Sequence, residues 1–188
     1  MKPTVGFAMC GSFCTFRCVL GAVAALREEA ALLPILSGAT ANCDTRFGKA
    51  ADFRAELEDL CGHRALTTLQ EVEPLGPKKL LDALIIAPCT GNTLGKLAGG
   101  IADSAVTFAA KAHLRNGRPV ILAISTNDGL AASAENIGRL LNRRHYYFVP
   151  FGQDAPEAKP TSLVADFAQL PETLRLALKG EQLQPMLK

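Results

Sequence analysis

Two uninterrupted apolar runs, Ala83–Ala87 and Val120–Ile124, constrain this chain more than any other feature. A strand with one wet face alternates apolar and polar residues, so a run without alternation belongs to a strand covered on both faces. Such strands sit in parallel sheets whose crossovers are helices, and helix-like stretches do separate the apolar runs here. Thr4–Met9, Leu32–Leu36 and Tyr146–Val149 read as further strands, and Ala65–Leu69 as a weak one. Between them, Phe13–Glu29 places Val19, Leu20, Val23 and Leu26 on a helical stripe, with Ser12 in position to cap it. Helices are also predicted over Ala50–Leu60 with Gly62 as a left-handed stop, over Thr93–Leu97, Ser104–Leu114 and Leu163–Leu178, and, with a cap at Ser133, over Ser133–Leu141. Ser37–Asp44 reads as a polar loop. The sum is an α/β fold, a three-layer αβα doubly wound and mainly parallel sheet of about six strands in the order 3-2-1-4-5-6.

A length of 188 residues, with no linker or internal repeat, predicts one domain over residues 1–188. Net charge is only +2 and Lys and Arg alternate with Asp and Glu, which argues against a nucleic-acid partner. No apolar run approaches the ~20 residues of a membrane span. Met1 leads straight into a strand without the pattern of a signal peptide, so a cytoplasmic protein is expected. Six cysteines at irregular spacing are expected to be reduced, with Cys10, Cys14 and Cys18 as small buried residues. Cys10, Cys14 and Cys18 fall four apart, but a cluster signature needs a shorter second gap, and no metal is expected.

Ligands of open α/β sheets of the Rossmann or flavodoxin kind bind beyond the carboxyl ends of the strands, where the strand order reverses. The first such loop, Cys10-Gly11-Ser12-Phe13, offers a closely approachable backbone, a hydroxyl and helix-start N–H groups suited to a phosphate, although a helix cap explains the Gly-Ser pair equally well. Neither G-x-G-x-x-G nor a P-loop is present, which favours a mononucleotide over a dinucleotide. The fourth loop, Pro88-Cys89-Thr90-Gly91-Asn92-Thr93, concentrates donors and acceptors in one short turn. In the expected strand order the two loops face one crevice.

That loop, continued by Lys96, Leu97, Ala98 and Gly100-Ile101-Ala102-Asp103, resembles the flavin-binding segment of the homo-oligomeric flavoproteins, which include cysteine decarboxylases and flavin prenyltransferases. Pro88, Asn92 and Thr93 match that segment; Cys89, Thr90 and Gly91 depart from it. The resemblance implies FMN as cofactor, a phosphate held by Gly11, Ser12 and Ser37, and a homo-oligomer, trimer or dodecamer. Longer segments follow in order: Gly11–Phe16, Asp44–Gly48, Glu73–Lys79, Ser125–Leu130, Asn136–Asn142 and Phe148–Asp154. Together they are similar to the B-subunit family of dipicolinate synthases of spore-forming bacteria. That likeness implies a partner A subunit carrying NAD or NADP and conversion of 4-hydroxy-tetrahydrodipicolinate to dipicolinate in the mother cell of a sporulating bacterium. The missing dinucleotide fingerprint fits a nicotinamide on the partner.

Departures from the decarboxylase pattern matter. No histidine stands near Glu73-Pro74-Leu75, where the decarboxylases keep a catalytic base, and their Pro-x-Met-Asn clamp is replaced by Ser125-Thr126-Asn127-Asp128. His63, His113 and His145 read as helix-end or interior residues with surface or capping roles. A substrate with two carboxylates calls for arginine, and Arg46 is the first candidate, ahead of Lys78 and Lys79. Arg143 and Arg144 end a helix, where positive charge is expected anyway. Asn127 is assigned to orient flavin or substrate and Asp128 to accept a proton, while an ordinary Asn-Asp-Gly turn accounts for them equally well. Glu71 and Glu73 rank low as substitute bases. An autonomous flavin-dependent decarboxylase or prenyltransferase, and a non-catalytic scaffold for the A subunit, remain as alternatives.

Overall fold

A computed structural model of the chain describes residues 2–188, so that Met1 lies outside the described residues. Four strands run parallel at its centre: β1 (Thr4–Met9) lies between β2 (Ala31–Leu36) and β3 (Ala83–Cys89), and β4 (Val120–Thr126) follows β3. β5 (Tyr146–Phe148) pairs in parallel with the first half of β4. One row of residues crosses the sheet through Pro34, Phe7, Ile85, Ile121 and Tyr147. Every residue of β3 is buried and β4 is buried up to Ser125, which is why these strands show no polar alternation. Each fully buried aliphatic side chain in them stabilises the fold by roughly 1.5–3 kcal/mol.

Helices cover both faces. α1 (Phe16–Leu26) buries Phe16, Val19, Leu20, Val23 and Leu26, and Phe16 meets Phe53 of α3 (Ala50–Cys61) edge-on at 5.0 Å. Gly62 ends α3 at φ 67°, a left-handed turn that carries no penalty for glycine. α5 (Gly91–Gly99) packs against α6 (Ala105–Leu114) and α7 (Ala134–Leu141), while α1 packs against α3 and α8 (Leu170–Ala177). No described helix is long and apolar enough to cross a membrane.

The predicted strand order holds, and three local readings change. Ala65–Leu69 contributes only the bridge of Leu66 to Ile35, outside β2; Thr68 then opens a capping box with Glu71 that starts α4 (Leu69–Val72). Ser37–Asp44 is not all loop, because Ser37 caps the short α2 (Gly38–Asn42). Leu163–Leu178 is not one helix. Leu163–Ala165 forms β7, Asp166 restarts the chain by accepting the Ala168 N–H at 3.1 Å, and α8 follows a 3-10 turn. β7 pairs antiparallel with β6 (Phe151–Gln153) and with the end of β4, Ser125 opposite Val164, making seven strands. The physical reason is the β4 edge: β5 satisfies it only as far as Leu122, and the hairpin takes what remains.

His113 is also a correction. It is buried on α6 rather than at the surface, and its Nε2 has no hydrogen-bond partner among the described residues. Burial, helped by Arg118, pushes its pKa down to about 4. The folded chain therefore refuses a proton that the unfolded chain accepts below about pH 6.5. Stability is expected to fall as pH drops from about 6.5 towards 4, by an amount on the order of 3 kcal/mol from this group. Urea titrations of the wild type and of His113→Gln across that window check it; the variant should show the shallower slope.

Candidate functional site

Short polar contacts draw together the carboxyl ends of β1, β3 and β4. Cys10, leaving β1, donates its N–H to Pro88 O at 3.2 Å, and Thr93 Oγ1 donates to Cys10 Sγ at 3.2 Å. Ser12 Oγ lies 2.7 Å from Ser125 Oγ at the end of β4. The turns beginning at Gly11 and Pro88 thus form one floor. Ser12 does not cap a helix as expected: a 3-10 turn over Phe13–Thr15 intervenes before α1, and Ser125 takes its hydroxyl instead.

Two adjoining cavities of about 550 and 480 Å³ open above this floor and share Gly11, Thr90 and Asn92. Both lie in the size range of small-molecule sites, roughly 300–1,000 Å³. Ser37, Gly38, Ala39, Thr93 and Lys96 wall the smaller one. Ser37 Oγ accepts the Thr40 N–H at 3.3 Å, and the first-turn N–H groups of Gly38 and Ala39 have no acceptor within the helix. Lys96 is neutralised by Asp103 at 2.9 Å. Phe13, Arg46, Ser125, Asn127 and Asp128 line the larger cavity, whose far wall is the β6–β7 hairpin with Asp154, Lys159 and Ser162.

Asn92 is exposed, lines both cavities, and its carboxamide makes no hydrogen bond among the described residues. It is an uncommitted donor and acceptor at the centre of the crevice. Thr90 caps α5 by accepting the Thr93 N–H at 3.3 Å. Pro88 and Cys89 complete β3 as buried residues whose side chains line neither cavity. Burial pushes the Cys10 thiol up to about 11 and raises Cys89 well above its usual value, so neither presents a thiolate at neutral pH. Cys14 and Cys18, expected to be buried, are exposed, as is Cys43. A thiol reagent at pH 8 should label Cys14, Cys18 and Cys43 in the folded chain and reach Cys10 and Cys89 only on unfolding, as peptide mass mapping would show.

Asp128 is firmly engaged. Its Oδ1 accepts from the hydroxyls of Thr126 and of Ser133, the latter at 2.9 Å. Ser133, expected to cap α7 with its side chain, is diverted to this carboxylate. Gly91 packs directly on the cluster: a Cβ there would lie 2.6 Å from Ser133 Oγ and 2.7 Å from both Asp128 Oδ1 and Thr126 Oγ1. Asn127 is exposed, and its carbonyl accepts from Thr161 Oγ1 at 2.7 Å, tying the turn to the hairpin.

Arg46 stands on a tight turn closed by reciprocal Thr45 and Gly48 backbone bonds, at 3.0 and 3.1 Å. Gly48 sits at φ 147°, and a Cβ there would meet the Phe53 ring at 2.7 Å, so the turn requires glycine. The Arg46 guanidinium stacks on Phe47 with its carbon 4.9 Å from the ring centre and forms no ion pair among the described residues. Lys78 and Lys79 precede β3 at the opposite end of the sheet and line neither cavity. Arg143 donates to the carbonyls of Leu97 and Ala98, at 2.9 and 2.6 Å, and so ties down the end of α5. The Thr67 N–H, with Thr68, holds the Glu71 carboxylate below its usual pKa within a capping box, and Glu73 opens a 3-10 turn away from the crevice. His63 and His145 lie in exposed turns, His145 at φ 68° rather than on a helix. No histidine lines either cavity among the described residues.

Sequence reasoning missed the hairpin wall. Its signal was the Pro150 break followed by the proline-bounded stretch Pro156–Pro160, which sets off Leu163–Ala165 as a separate short strand rather than the start of a helix.

Residues 2–147 match the family model described as Flavoprotein, and the chain belongs to that family. Within it the chain is a homologue of the dipicolinate synthase B subunit: the Bacillus subtilis B subunit is 45% identical over 184 residues, covering 97% of this chain and 92% of the relative. The crystal structure of the dipicolinate synthase B subunit from Bacillus halodurans C superposes with TM-score 0.91 at 42% identity, over 100% of this chain and 98% of that one. The fold is shared more distantly with the FMN-dependent cysteine decarboxylase SpaF, at TM-score 0.69 and 22% identity, over 95% of this chain and 96% of that one.

Proposed function

We propose that this chain is the B subunit of a dipicolinate synthase, which binds FMN across the two adjoining cavities and works with a nicotinamide-dependent A subunit during sporulation. The observation that carries the reading is the union of the Gly11 and Pro88 turns through the Cys10-to-Pro88 and Thr93-to-Cys10 bonds, beneath cavities that share Gly11, Thr90 and Asn92. The donor set fits a phosphorylated ring cofactor. Gly11, Ser37 and the free N–H groups of Gly38 and Ala39 suit a phosphate in the smaller cavity. Asn92, with Phe13 and Ser125, suits the polar edge and flat face of a ring in the larger one. When bound, FMN supplies a redox-active ring able to take up a hydride equivalent.

Conversion of 4-hydroxy-tetrahydrodipicolinate to dipicolinate removes one water, one hydride and one proton, leaving an aromatic dicarboxylate. The nicotinamide of the A subunit serves as the oxidant, in keeping with the absence of a dinucleotide fingerprint from this chain. Here the residues orient and exclude water: Asn127 and Asn92 present amides to the ring and its substrate, and Arg46 presents a guanidinium to a carboxylate. Asp128, held by two hydroxyls, shapes the turn under Gly91.

A scaffold role draws support from a specific observation: no histidine lines the cavities among the described residues, and their two carboxylates, Asp128 and Asp154, already have hydrogen-bond partners. Co-expression with an A subunit, followed by assay of dipicolinate from the hydroxylated precursor, separates the readings. With Asn92→Ala and Ser12→Ala, an FMN-dependent subunit loses cofactor and dipicolinate formation together; a scaffold loses only the cofactor. We also propose a homo-oligomer, trimer or dodecamer, and light scattering at micromolar concentration should give a mass at least about three times that of the chain.

A further inference from the structure

The larger cavity holds two cations whose surroundings differ, and the strand order sets them on opposite flanks. Arg46 follows β2 and α2, on the β2 side; Lys159 stands on the β6–β7 hairpin, on the β4 side. Both carriers are anchored. Asp44 Oδ1 accepts the Ala50 N–H at 2.9 Å to fix the Arg46 turn, and the Leu130 N–H donates to Thr161 O at 2.9 Å to fix the hairpin root. The two carboxylates of the same cavity do not claim Arg46. Asp128 is engaged by Thr126 and Ser133, and Asp154 pairs with Lys159 at 3.2 Å. Arg46 therefore keeps a planar fork of N–H donors uncommitted, and Lys159, with three donors, commits one to its neighbour.

We infer that Arg46 and Lys159 are the two anchors of a planar ligand bearing a carboxylate at each end, one taken by the guanidinium and the other by the ammonium. This inference rests on the reading of the crevice given above and adds to it the residue that selects a dicarboxylate over a monocarboxylate. The planar fork matches one carboxylate bidentately, whereas the ammonium on its flexible stem adapts to the second. Asp154 holds Lys159 in place when the ligand is absent and competes with the ligand's second carboxylate for it. Removing the Asp154 charge should therefore strengthen ligand binding, the reverse of what loss of a merely structural hairpin contact would do.

The test is calorimetric titration of the full chain, with and without FMN, using pyridine-2,6-dicarboxylate, pyridine-2-carboxylate and inorganic phosphate as probes. In Arg46→Met and Lys159→Met the dicarboxylate should bind at least about tenfold more weakly than in the wild type. Pyridine-2-carboxylate should lose affinity in Arg46→Met and change by less than about twofold in Lys159→Met. Asp154→Asn should tighten the dicarboxylate alone. The inference is overturned if the wild type does not prefer the dicarboxylate, if phosphate competes equally well, or if Lys159→Met leaves dicarboxylate binding unchanged. FMN affinity is measured in the same variants. If FMN fails to bind while the dicarboxylate pattern persists, the cofactor reading falls and the two anchors stand.

Discussion

Gly91→Val is expected to lower FMN affinity at least about a hundredfold and to destabilise the chain by about 1–3 kcal/mol, the usual effect of overpacking. Gly91 opens α5 between the cavity and the oxygens of Thr126, Asp128 and Ser133, and even a single Cβ there comes within 2.6–2.7 Å of all three. Alanine can be accommodated if those side chains rotate, at the expense of the bonds that hold Asp128. Valine adds two further carbons, which must displace the Thr90–Asn92 turn itself. Because that turn carries Asn92, the damage reaches the cavity centre and is not confined to local stability. A flavin-quenching titration and a thermal melt on the same sample report the two effects separately.

Asn92→Ala should weaken FMN binding about tenfold to a hundredfold while leaving the melting temperature within error of the wild type. The asymmetry follows from the site. Asn92 is exposed and its carboxamide bonds to no other described residue, so the fold gains nothing from it in the absence of ligand. Up to two hydrogen bonds to a bound ring are lost with the side chain, each worth about 0.5–1.5 kcal/mol. An equal loss of stability and affinity would show instead that the side chain supports the turn.

The parallel core was legible because burial on both faces leaves an unmistakable mark, as in Ala83–Ala87 and Val120–Ile124, now within β3 and β4. The two turns of the crevice were legible for a related reason, since the strand order alone sets β1 beside β3. The hairpin was not. Leu163–Ala165 is too short to show a period of two, and its pairing with Ser125 and Thr126 depends on a sheet edge that only the folded chain creates. Ser12 and Ser133 illustrate a second limit. Each stands where a cap is expected, but a hydroxyl bonds to whichever partner tertiary structure brings near, here Ser125 and Asp128. Lys159 lines the larger cavity from that hairpin and so was not singled out, whereas Arg46, which lines it too, was singled out for the chemistry a dicarboxylate demands.

The most direct test of the crevice is titration of the purified chain with FMN, followed by quenching of flavin fluorescence, in the wild type, Asn92→Ala, Gly91→Val and Lys79→Ala. A single saturable site per chain is predicted, weakened by the two crevice substitutions and untouched by Lys79→Ala at the far end of the sheet. Absence of saturable binding with excess FMN, or equal binding by all four proteins, would contradict the account.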